Sequence, residues 1–220
     1  GAQPFTRPLA SGEPPISRSG DDLRAARAPF WVLRAMQSAR EGAAAPELRQ
    51  REGWVMEPIG IVAKPLWLYG AGHVGRAVVR AFTDLPFALT WVDDAEARFP
   101  RAVPTHATRM VAANPADAVA GAPGDAWHVV MTYSHALDLE ICHRVLSRDF
   151  GELGLIGSDT KAARFRSRLR ALGHPETRVA QLTCPIGDKS LGKEPAAIAL
   201  GLAVEALKRT TVRARQEAQA

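Results

Sequence analysis

The segment Leu66-Trp67-Leu68-Tyr69-Gly70-Ala71-Gly72-His73-Val74-Gly75 constrains the fold of this chain more than any other stretch. An apolar run of strand length enters a Gly-x-Gly-x-x-Gly turn, and a helical pattern follows it. Each glycine has its own physical task. Gly70 permits the tight turn, Gly72 lets an anionic group approach the backbone, and Gly75 lets the new helix pack close to the strand. A helix starting at His73 and Val74 offers free backbone N–H groups and partial positive charge to an anion. About twenty residues downstream, Trp91-Val92-Asp93-Asp94 ends a second strand with carboxylates, where a ribose hydroxyl can be held. The plainer alternative is that the glycines only tighten a turn in a Rossmann-like domain that binds nothing.

From Pro65 onward, strand-length apolar runs alternate with helical segments, the pattern of βαβ units and a parallel sheet. Strands are predicted at 65–70, 88–93, 107–112, 127–132 and 153–157, with another extended run at 179–183. Helices are predicted at 73–83, 115–120, 135–147, 158–172 and 195–209. Right-handed crossovers between five strands give an α/β fold, a Rossmann-like sheet of order 3-2-1-4-5 with helices on both faces. The first third is less regular. Residues 1–28 are rich in Pro, Gly and Ser and read as loose chain. Phe30, Leu33 and Met36 then line one face of a short helix beside Trp31, and Trp54-Val55-Met56 makes a short strand broken by Pro58. The expected division is an N-terminal extension over 1–53, partly disordered with one helix, and a cofactor-binding domain over 54–220.

Composition narrows the classes. With 46% hydrophobic and 23% charged residues, the chain has material for a sizeable core. It contains no apolar run of about 18 residues, which excludes a membrane-spanning helix on length. The net charge of +5 is concentrated between Lys161 and Arg170 and in the last turns. Without zinc-finger spacing, an RNA-binding aromatic motif or a long basic arm, that excess reads as a solvated face or an anion site, not a nucleic-acid surface. The 2 cysteines make no disulfide framework and fit a reducing cytoplasm. The start, Gly1-Ala2-Gln3-Pro4, lacks an initiator Met and a signal pattern and reads as processed or truncated.

Three further places could carry chemistry. Leu153-Gly154-Leu155-Ile156-Gly157 is a buried-strand pattern running into Ser158-Asp159-Thr160-Lys161. Ser158 or Asp159 can cap the helix, while Gly157 and Lys161 could present backbone and charge to an anion. Ser134 and His135 follow the strand expected beside the first one, at the carboxyl edge where open α/β sheets bind ligands. His135 could act as acid, base or ligand, or simply cap its helix. The spacing of Ser134, His135 and Asp138 is not that of a hydrolase, because no Gly-x-Ser-x-Gly elbow surrounds the serine. Cys142 reads as a buried thiol within a helix. Cys184, where a strand gives way to a loop, could touch a ligand or soft metal if Lys189 or Lys193 lowered its pKa.

Read together, these segments resemble a known family. Gly70-Ala71-Gly72-His73-Val74-Gly75-Arg76, Trp91-Val92-Asp93-Asp94 with Arg98-Phe99-Pro100, and Met131-Thr132 with Ser134-His135-Ala136-Leu137-Asp138 occur in order. Leu155-Ile156-Gly157-Ser158 with Lys161, and Cys184-Pro185-Ile186-Gly187 with Gly192-Lys193-Glu194-Pro195, complete the set. Over about residues 54–209 the chain resembles the C-terminal Rossmann-like domain of the xanthine dehydrogenase accessory proteins, the XdhC/CoxI family. The resemblance implies a molybdenum-cofactor chaperone, more accessory protein than enzyme, with no catalytic residues of its own. Such a protein binds molybdopterin, assists cofactor sulfuration through a cysteine desulfurase and delivers the product to a xanthine dehydrogenase-type molybdoenzyme. The matching cofactor-binding positions are Gly70, Gly72, His73, Val74, Gly75, Asp93, Asp94, Ser134, His135, Gly157, Ser158, Lys161 and Cys184. Full-length members of the family usually carry an N-terminal domain with a Cys-Gly-Gly type motif, and residues 1–53 hold no cysteine. The chain is therefore either a C-terminal piece or a divergent member.

Gly70, Gly72, Gly75 and Asp93 also keep two other functions open: an NAD-dependent oxidoreductase, and a non-catalytic dinucleotide-sensing module. The apolar residues near Phe30 and an exposed sheet edge could support a homodimer.

Overall fold

The computed structural model describes residues 3–8, 28–40, 49–59 and 63–217. The chain divides into two compact units, Gly1–Ala63 and Lys64–Ala220. In the first, strands β1 (Gln3–Pro8), β2 (Arg49–Arg51) and β3 (Trp54–Ile59) form an antiparallel sheet of order β1-β3-β2. Glu52 and Gly53, with φ of 55° and 76°, make the two-residue hairpin turn between β2 and β3. Helix α1 (Phe30–Arg40) buries Val32, which clusters with Trp54.

Four expectations for this unit change. Phe30 is 75% exposed, because the helix turns Val32 inward instead. The strand runs through Pro58: β2 pairs with Trp54–Met56, so among the described residues the strand has a single neighbour at Pro58 and tolerates a residue with no N–H. Gln3–Pro8, expected to be loose, pairs along the whole of β3, while residues 9–27 lie outside the described residues, as does the side chain of Met36. The boundary accordingly falls after Ala63 and not at residue 54, since β3 is held by β1 and β2.

In the second unit, six strands form one parallel sheet: β4 (Lys64–Tyr69), β5 (Phe87–Asp93), β6 (Ala107–Val111), β7 (Trp127–Val130), β8 (Glu152–Leu155) and β9 (Leu182–Thr183). Their order is β6-β5-β4-β7-β8-β9, the expected 3-2-1-4-5 arrangement with a sixth short strand at its edge. The order reverses beside β4, which pairs with β5 on one side and β7 on the other, and this opens a crevice at the carboxyl ends.

The period-2 pattern of β4 explains the layers. Leu66 and Leu68 face one core cluster, and Trp67 and Tyr69 face the other. Helices α2 (His73–Ala81) and α6 (Pro195–Glu217) contribute Val78, Val79, Ala199 and Leu202 to the first cluster. Helices α3 (His135–Leu146) and α4 (Asp159–Ala171), with the short α5 (Glu176–Val179), cover the other through Ile141, Val145, Phe165, Leu169 and Val179. Fully burying each aliphatic side chain contributes about 1.5–3 kcal/mol against exposure, so both faces need cover.

The helix predicted at 115–120 is a single 3₁₀ segment, Asp117–Gly121. Just before it, Asn114 accepts the Ala116 N–H at 3.1 Å, and Gly121 with Pro123 ends it before a second turn can form. The Arg148 guanidinium closes the end by donating to the carbonyls of Val119 and Ala122.

One polar pair lies inside the core. His128 on β7 is fully buried, and its Nδ1 lies 3.0 Å from the hydroxyl of buried Tyr69. Burial drives the Tyr69 pKa up and keeps the phenol protonated. The other ring nitrogen, Nε2, has no hydrogen-bond partner among the described residues. Burial pushes His128 down to about 3. An unfolded histidine titrates near 6.5, so the unfolded chain binds the extra proton first and stability falls as pH drops through that window. Urea denaturation at pH 7 and pH 5 is expected to show a loss of about 2 kcal/mol that His128→Gln largely removes.

Candidate functional site

The carboxyl ends of β4, β5, β7, β8 and β9 bring the sequence motifs to one edge of the sheet, but not to equal tasks. At the glycine turn, a Cβ on Gly70 (φ +119°) would meet the Met131 carbonyl oxygen at 2.4 Å, and one on Gly75 would meet the Gly70 oxygen at 2.0 Å. Trp91 Nε1 donates to that same Gly70 oxygen at 3.0 Å. Both glycines therefore serve close backbone approach. Gly72 alone faces open space, with exposed His73 starting α2 beside it and no side chain capping the helix. Val74 packs against the core, so only its backbone could serve a ligand.

The acidic pair at the end of β5 is turned inward. Asp93 Oδ2 accepts the Ala71 N–H at 2.5 Å, and Oδ1 accepts the Asp94 N–H at 2.7 Å and lies 3.2 Å from Arg98 Nε. Asp93 is 4% exposed, and burial raises its pKa against the pull of the two amides. With its oxygens holding Ala71, Asp94 and Arg98, it braces the glycine turn. Burial also acts on Asp94, but hydrogen bonds from Tyr133 and Arg98 outweigh it and hold this carboxyl below the usual range. Asp94 accepts from the Tyr133 hydroxyl at 2.7 Å and from Arg98 Nε at 2.5 Å, and the Arg98 guanidinium stacks 3.9 Å over the Tyr133 ring. This bridge joins the loop after β5 to the loop after β7.

The loops after β7 and β8 are joined from below. Asp138, fully buried in the first turn of α3, accepts the Thr132 N–H at 2.9 Å, the Thr132 hydroxyl at 2.7 Å and Lys161 Nζ at 2.7 Å. Lys161 also donates to the Ile156 carbonyl at 2.9 Å, and its stem covers Gly157, where a Cβ would lie 2.6 Å from it. Lys161 is thus a structural cation, already neutralised, and not a free anion ligand. Ser134, not His135, caps α3, accepting the Leu137 N–H at 3.4 Å; His135 is exposed at the first helical position. Ser158 caps α4 in the same way, at 3.2 Å from the Lys161 nitrogen.

The structure opens beside Gly157 and Ser158. A cavity of about 260 Å³ lies between the start of α4, the loop after β9 and the start of α6. Ile156, Pro185, Ile186 and Ile198 give it apolar walls, and Asp159, Asp188, Lys189 and Lys193 stand around it. Lys189 Nζ pairs with both Asp159 oxygens at 2.9 and 2.8 Å, and this hydrogen bond holds the Asp159 carboxyl below its ordinary range. Cys184 does not act as expected. It is 7% exposed, and burial raises its pKa although Lys161, Arg166 and Lys189 pull the other way, so it is a protonated thiol. Cys142, fully buried within α3, is likewise raised by burial. Among the described residues no group of three or more His, Cys, Asp or Glu could hold a metal ion. No described helix is long and apolar enough to cross a membrane.

The profile of the XdhC Rossmann domain matches residues 66–206, from the first core strand of this sheet well into α6. The chain belongs to this family. It is 28% identical to the Escherichia coli (strain K12) protein YqeB, itself described as uncharacterized, over 144 residues that make up 65% of this chain and 27% of YqeB. A Bacillus halodurans crystal structure described as a xanthine dehydrogenase superposes with a TM-score of 0.61 at 19% identity, covering 81% of this chain and 55% of that one. A Rossmann-fold NAD(P)-binding family protein from Shigella flexneri is more distant, with a TM-score of 0.36, 17% identity and coverage of 50% and 63%. The chain thus spans about a quarter of YqeB and about half of the Bacillus protein.

Within the XdhC Rossmann domain, Arg98, Tyr133 and Asp138 take roles the sequence did not assign them, and Lys189 and Lys193, expected to act on Cys184, stand at the cavity instead. Arg98 could have been found from its i,i+4 spacing to Asp94, and Lys189 and Lys193 from their place between Gly187 and the start of α6. Tyr133 and Asp138 carry no such local signal.

The packing of the glycine turn gives a direct contrast. Gly75→Ala should lower stability by about 3 kcal/mol in urea denaturation, because the added Cβ overpacks against backbone. Gly72→Ala, facing open space, should leave the midpoint nearly unchanged. A second expectation concerns the buried ion pair. Asp138→Ala leaves Lys161 and the Thr132 amide without their acceptor, and should cost about 3–5 kcal/mol, with faster amide exchange over residues 131–137.

Proposed function

We propose that this XdhC-family domain is a carrier for the molybdenum cofactor that assists cofactor sulfuration and insertion into a xanthine dehydrogenase-type enzyme. The observation that carries this reading is the cavity beside Gly157. It joins two segments of the family pattern, Ile156-Gly157-Ser158 and Pro185-Ile186-Gly187, to the loop holding Gly192 and Lys193, at the carboxyl ends of β8 and β9. The chemistry of the lining fits a phosphorylated pterin. Ile156, Pro185 and Ile198 can flank a flat heterocycle, and the cavity edge carries lysine ammonium groups suited to a phosphate. The cofactor's molybdenum centre supplies the chemistry of the client enzyme, and in this domain it is cargo. The chain's own part is to bind, orient and release it. Cys184 is buried, burial raises its pKa, and it does not line the cavity.

Dinucleotide binding finds less support. Gly72 and the start of α2 are open, but Asp93 has both oxygens committed to Ala71, Asp94 and Arg98. In this reading a cysteine desulfurase and the molybdoenzyme are successive partners in the cytoplasm, and neither catalysis nor NAD is required of this chain.

The purified chain, mixed with molybdenum cofactor released from a molybdoenzyme under anaerobic conditions, is expected to co-elute with pterin fluorescence and molybdenum in gel filtration. NADH titrated in parallel is expected to show no saturable binding. Loss of both pterin and molybdenum from the protein peak would overturn the carrier reading, and tight NADH binding in their place would favour an oxidoreductase or a nucleotide sensor.

A further inference from the structure

We infer that the cavity beside Gly157 recognises its ligand through a phosphate monoester held at Lys193, and that Asp159 governs release by competing with that phosphate for Lys189. This deepens the carrier reading and rests on the cavity being the cargo site.

Size sets the first limit. At about 260 Å³ the cavity lies just below the roughly 300–1,000 Å³ of pockets that enclose drug-sized ligands. It can hold one ring system, and a dinucleotide would leave much of itself outside. The walls set the second. Ile156, Pro185, Ile186 and Ile198 suit the faces and edges of a flat heterocycle, while the charged groups stand together where the loop 188–193 meets the start of α4. A ligand matching both is an apolar-faced ring with an anionic tail.

The charges then divide into two kinds. The lining holds two carboxylates and two ammonium groups: Lys189 is bound to Asp159 through both carboxylate oxygens, Asp188 accepts from the Ser190 amide and hydroxyl, and Lys193 has no carboxylate partner among the described residues. Lys193 also lies two residues before Pro195, the first residue of the 23-residue helix α6, whose opening N–H groups add partial positive charge. An incoming phosphate therefore finds one uncommitted ammonium. A second becomes available only if Lys189 leaves Asp159.

The Asp159–Lys189 pair is solvent-exposed, with 84% and 54% of the respective side chains accessible, so exchange between carboxylate and phosphate is small in free energy and fast. That balance suits a carrier, which must hold cargo without trapping it. Asp159 is in effect an internal competitor: it lowers affinity for the anion through repulsion and by occupying Lys189. Three opposed consequences follow. Removing the Lys193 charge weakens phosphate binding, removing the Asp159 charge strengthens it, and a neutral ring without phosphate feels neither change.

The test uses the intact chain and a pterin carrying a side-chain phosphate monoester, compared with the same pterin unphosphorylated, by fluorescence anisotropy and stopped-flow dissociation. The phosphorylated pterin is expected to bind about tenfold or more tightly than the unphosphorylated one, as a charge-assisted contact allows. Lys193→Gln should erase most of that difference and leave the unphosphorylated ligand unaffected. Asp159→Asn should tighten the phosphorylated ligand about three- to fivefold, mainly by slowing dissociation. Equal binding of the two pterins, absence of binding, or an Asp159→Asn chain that binds no better than wild type would overturn the inference. The two readings fail separately. Cofactor that co-elutes equally with wild-type, Lys193→Gln and Asp159→Asn chains leaves the carrier standing and removes this assignment. Phosphate-dependent pterin binding without cofactor retention does the reverse.

Discussion

The buried carboxylate of Asp138 is the interaction on which the ligand edge depends. It takes the Thr132 amide, the Thr132 hydroxyl and the Lys161 ammonium, and thereby ties the end of β7 to the first turn of α4 across the sheet. Thr132 in turn donates its hydroxyl to the Ser134 carbonyl at 3.1 Å, shaping the entry into α3. A charge removed from water this fully is tolerable only when every oxygen is matched, and Asp138 has the two Thr132 donors on Oδ1 and the Lys161 ammonium on Oδ2. Because Lys161 is drawn down onto Asp138 and the Ile156 carbonyl, its stem lies along Gly157 and shapes the neighbouring cavity.

The same logic separates two places that look alike in sequence. The glycine turn and the Gly157–Ser158 turn both end a parallel strand and open a helix. At the first, Asp93, Arg98 and Trp91 turn inward, and the potential ligand donors and acceptors largely serve the turn itself. At the second, the charged groups lie on exposed loops, and the pair they form is an exchangeable surface contact. Internal hydrogen bonding makes the first rigid. Weak, solvated pairing leaves the second able to respond to an anion.

Much of the architecture was legible because it rests on local periodicity. The two-residue alternation in Leu66-Trp67-Leu68-Tyr69, the glycine spacing and the Ser158 cap position are properties of neighbours in sequence, and each appears where expected. The individual roles were less legible. His135 stands one residue past the cap that Ser134 provides, a distinction decided by backbone φ and ψ at the helix start. Cys184 looked reactive because lysines are near it in sequence, yet burial outweighs their charge. Asp93 sits where a ribose acceptor is expected, and the Ala71 amide claims it first. Pro58 looked like a strand breaker, which holds for a strand with two neighbours and fails for one with a single partner there.

By itself, the amino-acid order determined a parallel α/β sheet, its strand sequence around the switch point, its two apolar faces and the family to which it belongs. These follow from hydrophobic period and from glycines that only a few backbone geometries accept. Only the tertiary structure decided which polar groups remain available to a ligand. Asp93, Lys161 and Ser134 are spent on partners far away or around a turn, while Lys193, separated from Gly157 by 36 positions in the chain, arrives beside it in space. The reason is that a hydrogen bond or ion pair is made with whatever the fold brings within about 3 Å, and sequence spacing does not encode that distance.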